Sequence, residues 1–426
     1  MSMPLAHNFT YTSYFKEKIV FPKKITQLKK YLKSRHTIIG NLRSYGDCCV
    51  GSKSIHISLK EFSKIIKLDK KKNIIEVESG LLLKDLFSYL LKKNLVIECL
   101  PGCKFVTIGG MIANNIHGKL IKENSFNHNI VSIKIIDKNY KIIECSRKKN
   151  KEKFFLTIGG KGLTGPIISA KLKLKKLPSR IIKQKTIKFD SKKKFLKEIK
   201  YIKNFKYAVT WLDFTKKNFL GILFCANYSQ DKKNIDSFKD FSLPYFMIYL
   251  MSFISTSKYF IYLFNILFRL KNSIFPKVYD NINNHFFPQN RILNWNRVYE
   301  KYGFVQLHFY FKISKLNLVE MIKKELSENG IYSNFAVLKF HEMKKIKRIK
   351  NLSLSIDIPL NSNIKKISKI LNIFVSNNDL QVNLSKDVIL NKLNNKTNLE
   401  NKIFMKKYSK YLMKNKTSKI LERFKN

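Results

Sequence analysis

Three glycine-bearing segments hold the residues of this chain best suited to chemistry. The first, Gly40-Asn41-Leu42-Arg43-Ser44-Tyr45-Gly46-Asp47, follows a short apolar run. Such a turn points consecutive backbone N–H groups at one place, which suits a diphosphate. The same residues also suit an ordinary strand-to-loop turn. The second segment runs from Pro101-Gly102-Cys103 through Thr107-Ile108-Gly109-Gly110 to Asn114, His117, Gly118 and Lys119. Gly-Gly at the opening of a short helix lets backbone approach a planar ligand, and a helix N-terminus favours anionic oxygens. His117 and Lys119 add polar groups at the far end. In the third segment, residues 157–165, four glycines fall within seven residues just ahead of a core strand. That density implies tight packing against something bulky.

The elements that must carry these segments are short strands alternating with helices. Residues 37–40 and 54–59 read as strands. Residues 65–69 and 73–78 flank a Lys-Lys-Lys turn as a hairpin. Leu82, Leu83, Leu86, Phe87, Leu90 and Leu91 recur at helical spacing, so residues 81–93 form an amphipathic helix. A strand over 95–100 stops at Pro101-Gly102, residues 130–136 and 141–145 make a second hairpin, and a strand over 167–177 ends at Pro178. From Ser179 onward, strands read at 207–214, 220–225, 304–313 and 352–358, with a helix at 315–329. The tail from Asn391 has helical periodicity, and there are no internal repeats. Residues 241–270 are the most apolar stretch, but Lys258 divides them short of the roughly 20 apolar residues that a spanning helix needs. A buried or interfacial helix pair is expected there.

Composition bounds the class. The chain has 426 residues, 44% of them hydrophobic and 13% aromatic, which is too much apolar surface for a disordered chain. Fifteen Gly and nine Pro exclude a collagen-like sequence. A net charge of +54 is compatible with nucleic acid, an anionic membrane or phosphorylated substrate, or a solvated Lys-rich surface of compositional origin. The basic residues are spread along the whole chain, not gathered into one stripe. The six cysteines include no CxxC pair and no zinc spacing. No basic, then apolar, leader reads at the N-terminus, so reduced thiols and a cytoplasmic location are expected.

In this order, the segments resemble the FAD-binding domain of the vanillyl-alcohol oxidase (PCMH-type) superfamily, and within it the decaprenylphosphoryl-β-D-ribose 2-oxidases and their sugar-oxidase relatives. The residues that carry the resemblance are RSYGD at 43–47, the PG…VTIGG…NIHGK run ending at Lys119, SFNH at 125–128 and GGKGLTG at 159–165. ILNWNRVYEKYGFVQ at 292–306 and NLSKD at 383–387 extend it over almost the whole chain. It implies an α+β protein of two domains. Residues 1–178 would form the FAD-binding domain, 179–378 a sheet-based substrate (cap) domain with the apolar segment 241–270, and 379–426 a C-terminal segment returning to the FAD domain.

Carried over position by position, the resemblance implies that Gly40, Asn41, Leu42, Arg43, Ser44, Tyr45 and Gly46 bind the diphosphate. Pro101, Gly102, Cys103, Thr107, Gly109, Gly110, Asn114 and His117 would line the flavin, and Gly162, Gly165 and Ile167 would meet the adenosine half. Lys386, His117, Lys119 and Tyr45 are the implied catalytic residues. Gln306, His308, Lys339, Ser353 and Ser355 are the implied substrate contacts. Several positions depart from the family pattern: Leu42 replaces a glycine, Ile39 an arginine, Asn383 a flavin-side tyrosine and His308 a glutamine. Ser353 and Ser355 replace an asparagine and a cysteine. These departures put the sugar in question more than the cofactor. Arg43 stands where many relatives attach flavin through a histidine, and Arg cannot form that bond, so FAD is expected to be non-covalent. Cys103 stands six residues before Gly109, the spacing at which some relatives add a thioether.

The implied activity is FAD-dependent oxidation of CH–OH, namely the C2 hydroxyl of a polyprenyl-phosphate-linked pentose. The hydride goes to flavin N5, leaving a ketone as half of an epimerisation in cell-envelope polysaccharide synthesis. A short-chain reductase would complete it, with peripheral contact to the inner membrane. Lys386 is the first choice to orient or deprotonate the hydroxyl. A soluble sugar-alcohol or aldonolactone oxidase of the same superfamily is the alternative within enzymes. A basic nucleic-acid-binding protein is the alternative outside them, against which no helix-turn-helix, zinc-finger or RNP pattern occurs. No metal site and no nucleic-acid partner are expected.

Overall fold

A computed structural model describes residues 6–122, 125–231, 235–236, 239–333, 335–343, 348–360, 364–383, 385–386, 406, 408–412 and 415–419. Three sheets position everything that follows. The first is parallel and three-stranded, in the order Ile19–Val20, Ile55–Ser58, His36–Ile39. Helix Ile25–Leu32 buries Leu28 and Leu32 in an apolar cluster with Val20 and Ile57. The second sheet is antiparallel and runs Ile142–Ser146, Ile130–Ile136, Ile167–Lys173, Ile74–Glu78, Ile65–Asp69, so both expected hairpins form. Helix Leu83–Lys92 buries Leu83, Leu86, Phe87 and Leu90, one stripe of a 3.6-residue period. The strand expected over 95–100 is only Leu95–Val96. Its partner Lys175–Lys176 is equally short and runs into Pro178, which has no N–H to extend a ladder.

The third sheet has eight strands, all antiparallel: Tyr279–Asn281, Ile181–Phe189, Gly221–Tyr228, Tyr207–Leu212, Phe335–Met343, Arg348–Pro359, Phe304–Lys312 and Gln381–Val382. Side chains alternate between its faces. Val305, Leu307, Phe309 and Phe311, with Leu338, Phe340, Leu352, Leu354 and Ile356, lie on one face in the largest core cluster. Helices Asn317–Glu328 and Ile364–Asn377 cover that face through Val319, Ile322, Leu326, Ile367, Leu371 and Phe374. The opposite face therefore carries Gln306, His308, Tyr310, Lys339, His341, Ser353, Ser355 and Asp357. Strands Ile181–Phe189 and Phe335–Met343 and helix Ile364–Asn377 escape the sequence reading. Lysines interrupt the apolar period in Ile181–Phe189 and in the first turns of Ile364–Asn377.

Residues 241–270 form two helices, Tyr245–Ile254 and Lys258–Ile274, bent by 109° at their break. Among the described residues no single helix is long and apolar enough to cross a membrane. The pair is not buried. Within the two helices only Ile248, Ser252, Ile261 and Asn265 are buried, whereas Tyr245, Phe246 and Tyr259 are 69%, 68% and 82% exposed. One edge anchors it: Asn265 bonds the Asp213 carboxylate at 3.0 Å and Phe268 packs on Trp211. Among the described residues no second layer covers the other side.

Near the C-terminus, Lys416 bridges to His36 in parallel, the Thr37 hydroxyl donates to the Thr417 carbonyl at 2.7 Å, and the Lys419 amide donates to Val50. The helical tail expected from Asn391 lies mostly outside the described residues.

Candidate active site

The first loop lies directly on the second glycine segment. A Cβ on Gly40 would collide with the Thr107 hydroxyl, so only glycine allows this approach. Thr107 caps helix Ile108–Ala113 by accepting from the Gly110 amide at 3.2 Å. The Asn41 side chain donates to the Phe105 carbonyl at 2.7 Å and ties the two segments. Leu42 takes φ 51°, the left-handed conformation that glycine adopts freely. The Arg43 guanidinium lies 5.5 Å from the Phe9 ring and 5.8 Å from Phe105 and donates to the Asn294 side chain at 3.3 Å. Tyr45 is held edge-on to Phe304 at 5.6 Å and against Phe9 at 5.2 Å. Thr10 bonds its carbonyl. The Gly46 amide donates to the Ser385 carbonyl at 3.0 Å. That bond brings the next residue, Lys386, over the Tyr45 ring at 5.7 Å.

The polar face of the large sheet meets His117 from the end of the second segment. Its ring lies 5.0 Å from His308, 5.6 Å from His341 and 6.3 Å from Tyr310. Antiparallel register sets Gln306 opposite Asp357, His308 opposite Ser355, and Ser353 between Tyr310 and Lys339. His341 bonds the Ser353 hydroxyl at 2.9 Å, and Gln306 donates to the Asp357 carboxylate. Asn383 donates to His308 Nδ1 at 3.1 Å, which assigns the proton to Nε2, an atom with no partner among the described residues. Lys119 donates to the His285 carbonyl.

Burial shapes the charges. Desolvation pulls the Lys386 amine down to about 7, with Lys339 adding to the drop and Asp357 opposing it. Lys119 falls to about 7 and Lys339 to about 8, again chiefly through desolvation. His117 and His308 stay neutral, pushed well below their ordinary value by burial and by the neighbouring lysines. Asp357 rises to about 7 because its buried carboxyl is desolvated, with Gln306 and Lys386 pulling the other way. Burial drives the Tyr45 phenol well above 10, and the Asp357 charge adds to it. Lysines and an acid whose proton affinities converge near neutrality can exchange protons at low cost.

The implied catalytic and substrate residues Tyr45, His117, Gln306, His308, Lys339, Ser353, Ser355 and Lys386 thus cluster on or against the polar face of the large sheet. Lys119 feels the Lys339 charge but bonds the His285 carbonyl. Sequence reading missed Asp357, His341 and Tyr310. Their signal was the alternation: each lies two positions from an implied site residue on the same strand, hence on the same face.

A planar dinucleotide fits what is present. A Cβ on Gly102 would meet nothing, and one on Gly110 only the Thr107 hydroxyl. In the third segment, Gly159, Lys161, Gly162 and Gly165 take φ of 79°, 52°, 75° and 120°. Side chains rarely adopt such a backbone. The Ile167 side chain is buried in the core of the five-stranded sheet. Asn114 Oδ1, His117 Nδ1 and Lys416 Nζ are buried polar atoms without partners among the described residues, as expected where a polar ligand completes them.

Residues 17–146 match the family model described as an FAD binding domain. The chain is an FAD-dependent oxidoreductase. This oxidoreductase is 24% identical over 318 residues, 70% of its own length and 67% of the other's, to a decaprenylphosphoryl-beta-D-ribose oxidase of Mycolicibacterium smegmatis. It is 28% identical over 151 residues to an L-gulonolactone oxidase of Bos taurus, covering 35% of this chain and 34% of that enzyme. A D-lactate dehydrogenase of Anaerostipes hadrus is 28% identical over 134 residues, 30% of this chain and 28% of that enzyme. The matched stretch thus spans two thirds of the first relative and about a third of the other two. The FAD-binding domain and these flavoprotein relatives assign FAD as the cofactor of the oxidoreductase and fit its mixed α+β fold.

Proposed function

We propose that this oxidoreductase oxidises the C2 hydroxyl of a polyprenyl-phosphate-linked pentose to a ketone, as half of an epimerisation that a separate reductase completes. In this reading residues 1–178 and 379–426 hold FAD, while residues 179–378 supply the substrate face. Bound FAD supplies the two-electron acceptor. The partly neutral Lys386 amine takes the hydroxyl proton, and Asp357 and Gln306 behind it hold the polar face in register. His308, with Nε2 protonated and free, donates a hydrogen bond to the sugar oxygens, and Lys339 adds positive charge.

The observation that carries the substrate class is the exposed aromatic helix pair joined to the polar face. The Ser255 hydroxyl at the end of the first helix bonds the Val298 carbonyl at 2.9 Å. Val298 and Trp295 pack with Tyr45 in one apolar cluster. A lipid tail leaving the polar face would meet this surface, so the same patch serves as a peripheral membrane contact. The longer match to the ribose oxidase than to the lactone oxidase supports the same reading.

Anaerobic mixing tests it. Flavin absorbance should bleach with a polyprenyl-phosphoryl pentose and not with free alditols or aldonolactones. Bleaching by aldonolactones alone would make the protein a soluble lactone oxidase.

A further inference from the structure

Among the described residues Lys416 and Lys161, both away from the polar face of the large sheet, form no ion pair. Lys416 is 6% exposed, and its Nζ has no hydrogen-bond partner among the described residues. Nζ lies 3.7 Å from where a Cβ on Gly162 would stand, so it points at the third glycine segment. Its backbone is fixed by the bridge to His36 and the Thr37–Thr417 bond. Lys161, between Gly160 and Gly162, is held at φ 52°. The ionisable neighbour that both amines feel is the Cys48 thiol, whose sulfur lies 2.8 Å from the Ser44 hydroxyl of the first loop. Among the described residues no carboxylate perturbs either amine, and desolvation brings half-buried Lys161 and buried Lys416 to about 8, so they remain largely cationic at neutral pH.

A buried ammonium with no anion beside it is costly, and the cost is met when an anionic ligand binds. The first loop offers backbone N–H groups, but its own cation, Arg43, lies over Phe9 and Phe105. We propose that Lys416 and Lys161 are the counter-cations of the FAD diphosphate, so that the returning C-terminal segment completes the cofactor site. This inference rests on the FAD reading and names residues that the glycine motifs do not include.

The test uses the full-length protein freed of flavin, titrated with FAD, ADP and adenosine. Lys416→Met should weaken FAD and ADP by about tenfold or more, the loss of one charge-assisted hydrogen bond. Adenosine binding should be unchanged, and the thermal midpoint of the apoprotein unchanged or raised. Lys161→Met should act in the same direction. Binding of ADP within twofold of wild type in both variants overturns the proposal. So does an equal loss for ADP and adenosine, which would mean that the lysine only holds the fold. If the unmodified protein binds neither FAD nor ADP, it is the cofactor reading itself that fails.

Discussion

Lys386 is placed by the Gly46–Ser385 backbone bond and by its own amide bond to the Asn383 carbonyl, and is tuned by burial. Its amine is neutral above about pH 7 and protonated below. A base must be neutral to accept a proton, so kcat/KM should rise as pH increases through 7 and then level. Lys386→Met should lower turnover by roughly two to four orders of magnitude while flavin stays bound, because in the proposed role the group acts on the reacting hydroxyl and not on the cofactor. Steady-state rates with flavin absorbance check both; full activity in the variant removes Lys386 from the site. Cys103 is half-buried, and burial raises its thiol further from the reactive thiolate form. Acid precipitation should therefore leave a yellow supernatant and a colourless pellet. Flavin in the pellet that vanishes in Cys103→Ser would show a thioether instead.

At the scale of elements, the helix pair and the first loop make opposite demands. The pair exposes Tyr245, Phe246, Phe253 and Tyr259, and basic residues reach two of these rings: Arg297 lies 5.4 Å from the Tyr245 ring and Lys301 3.4 Å from Phe253. Apolar insertion plus about 1 kcal/mol per basic residue near an anionic surface is enough for peripheral binding. Sedimentation with anionic vesicles should carry the protein down, and Tyr245→Ser/Phe246→Ser/Tyr259→Ser should release it. Unchanged sedimentation would place the anchor elsewhere. The first loop needs closeness instead. Gly40→Val forces the loop off Thr107, so the variant should purify with markedly less flavin, read as the ratio of absorbance near 450 and 280 nm.

Over the whole molecule, the large sheet divides the labour between its faces. Phe309, Phe340 and Ile356 are fully buried on the helix-covered face. Phe309→Ala should cost about 3–5 kcal/mol by leaving a cavity, read as a lower denaturation midpoint. Asp357 on the other face is buried in polar company. Asp357→Asn should leave that midpoint nearly unchanged yet shift the pH profile of turnover, since it removes the charge that Lys386 feels. A lowered midpoint with an unmoved profile would make Asp357 a structural residue only.

Features whose chemistry is local can be read from residue types alone. The glycine segments are legible because a positive φ at Gly159, Gly162 and Gly165, and the contact of Gly40 with Thr107, restrict residue type one position at a time. Helix Leu83–Lys92 is legible because its apolar stripe repeats within three turns. Which face of the strands beginning at Phe304, Phe335 and Arg348 carries the polar cluster is settled by long-range packing. That choice depends on helices Asn317–Glu328 and Ile364–Asn377 covering the other face. Period-two alternation is the same viewed from either side. The exposure of residues 241–270 was likewise undecided, because an apolar helix reads alike whether it faces a core or a bilayer. Lys416 is the furthest case: one lysine among many in a basic chain, it is made distinct by a return of 380 residues to the Thr37 strand that no local pattern encodes.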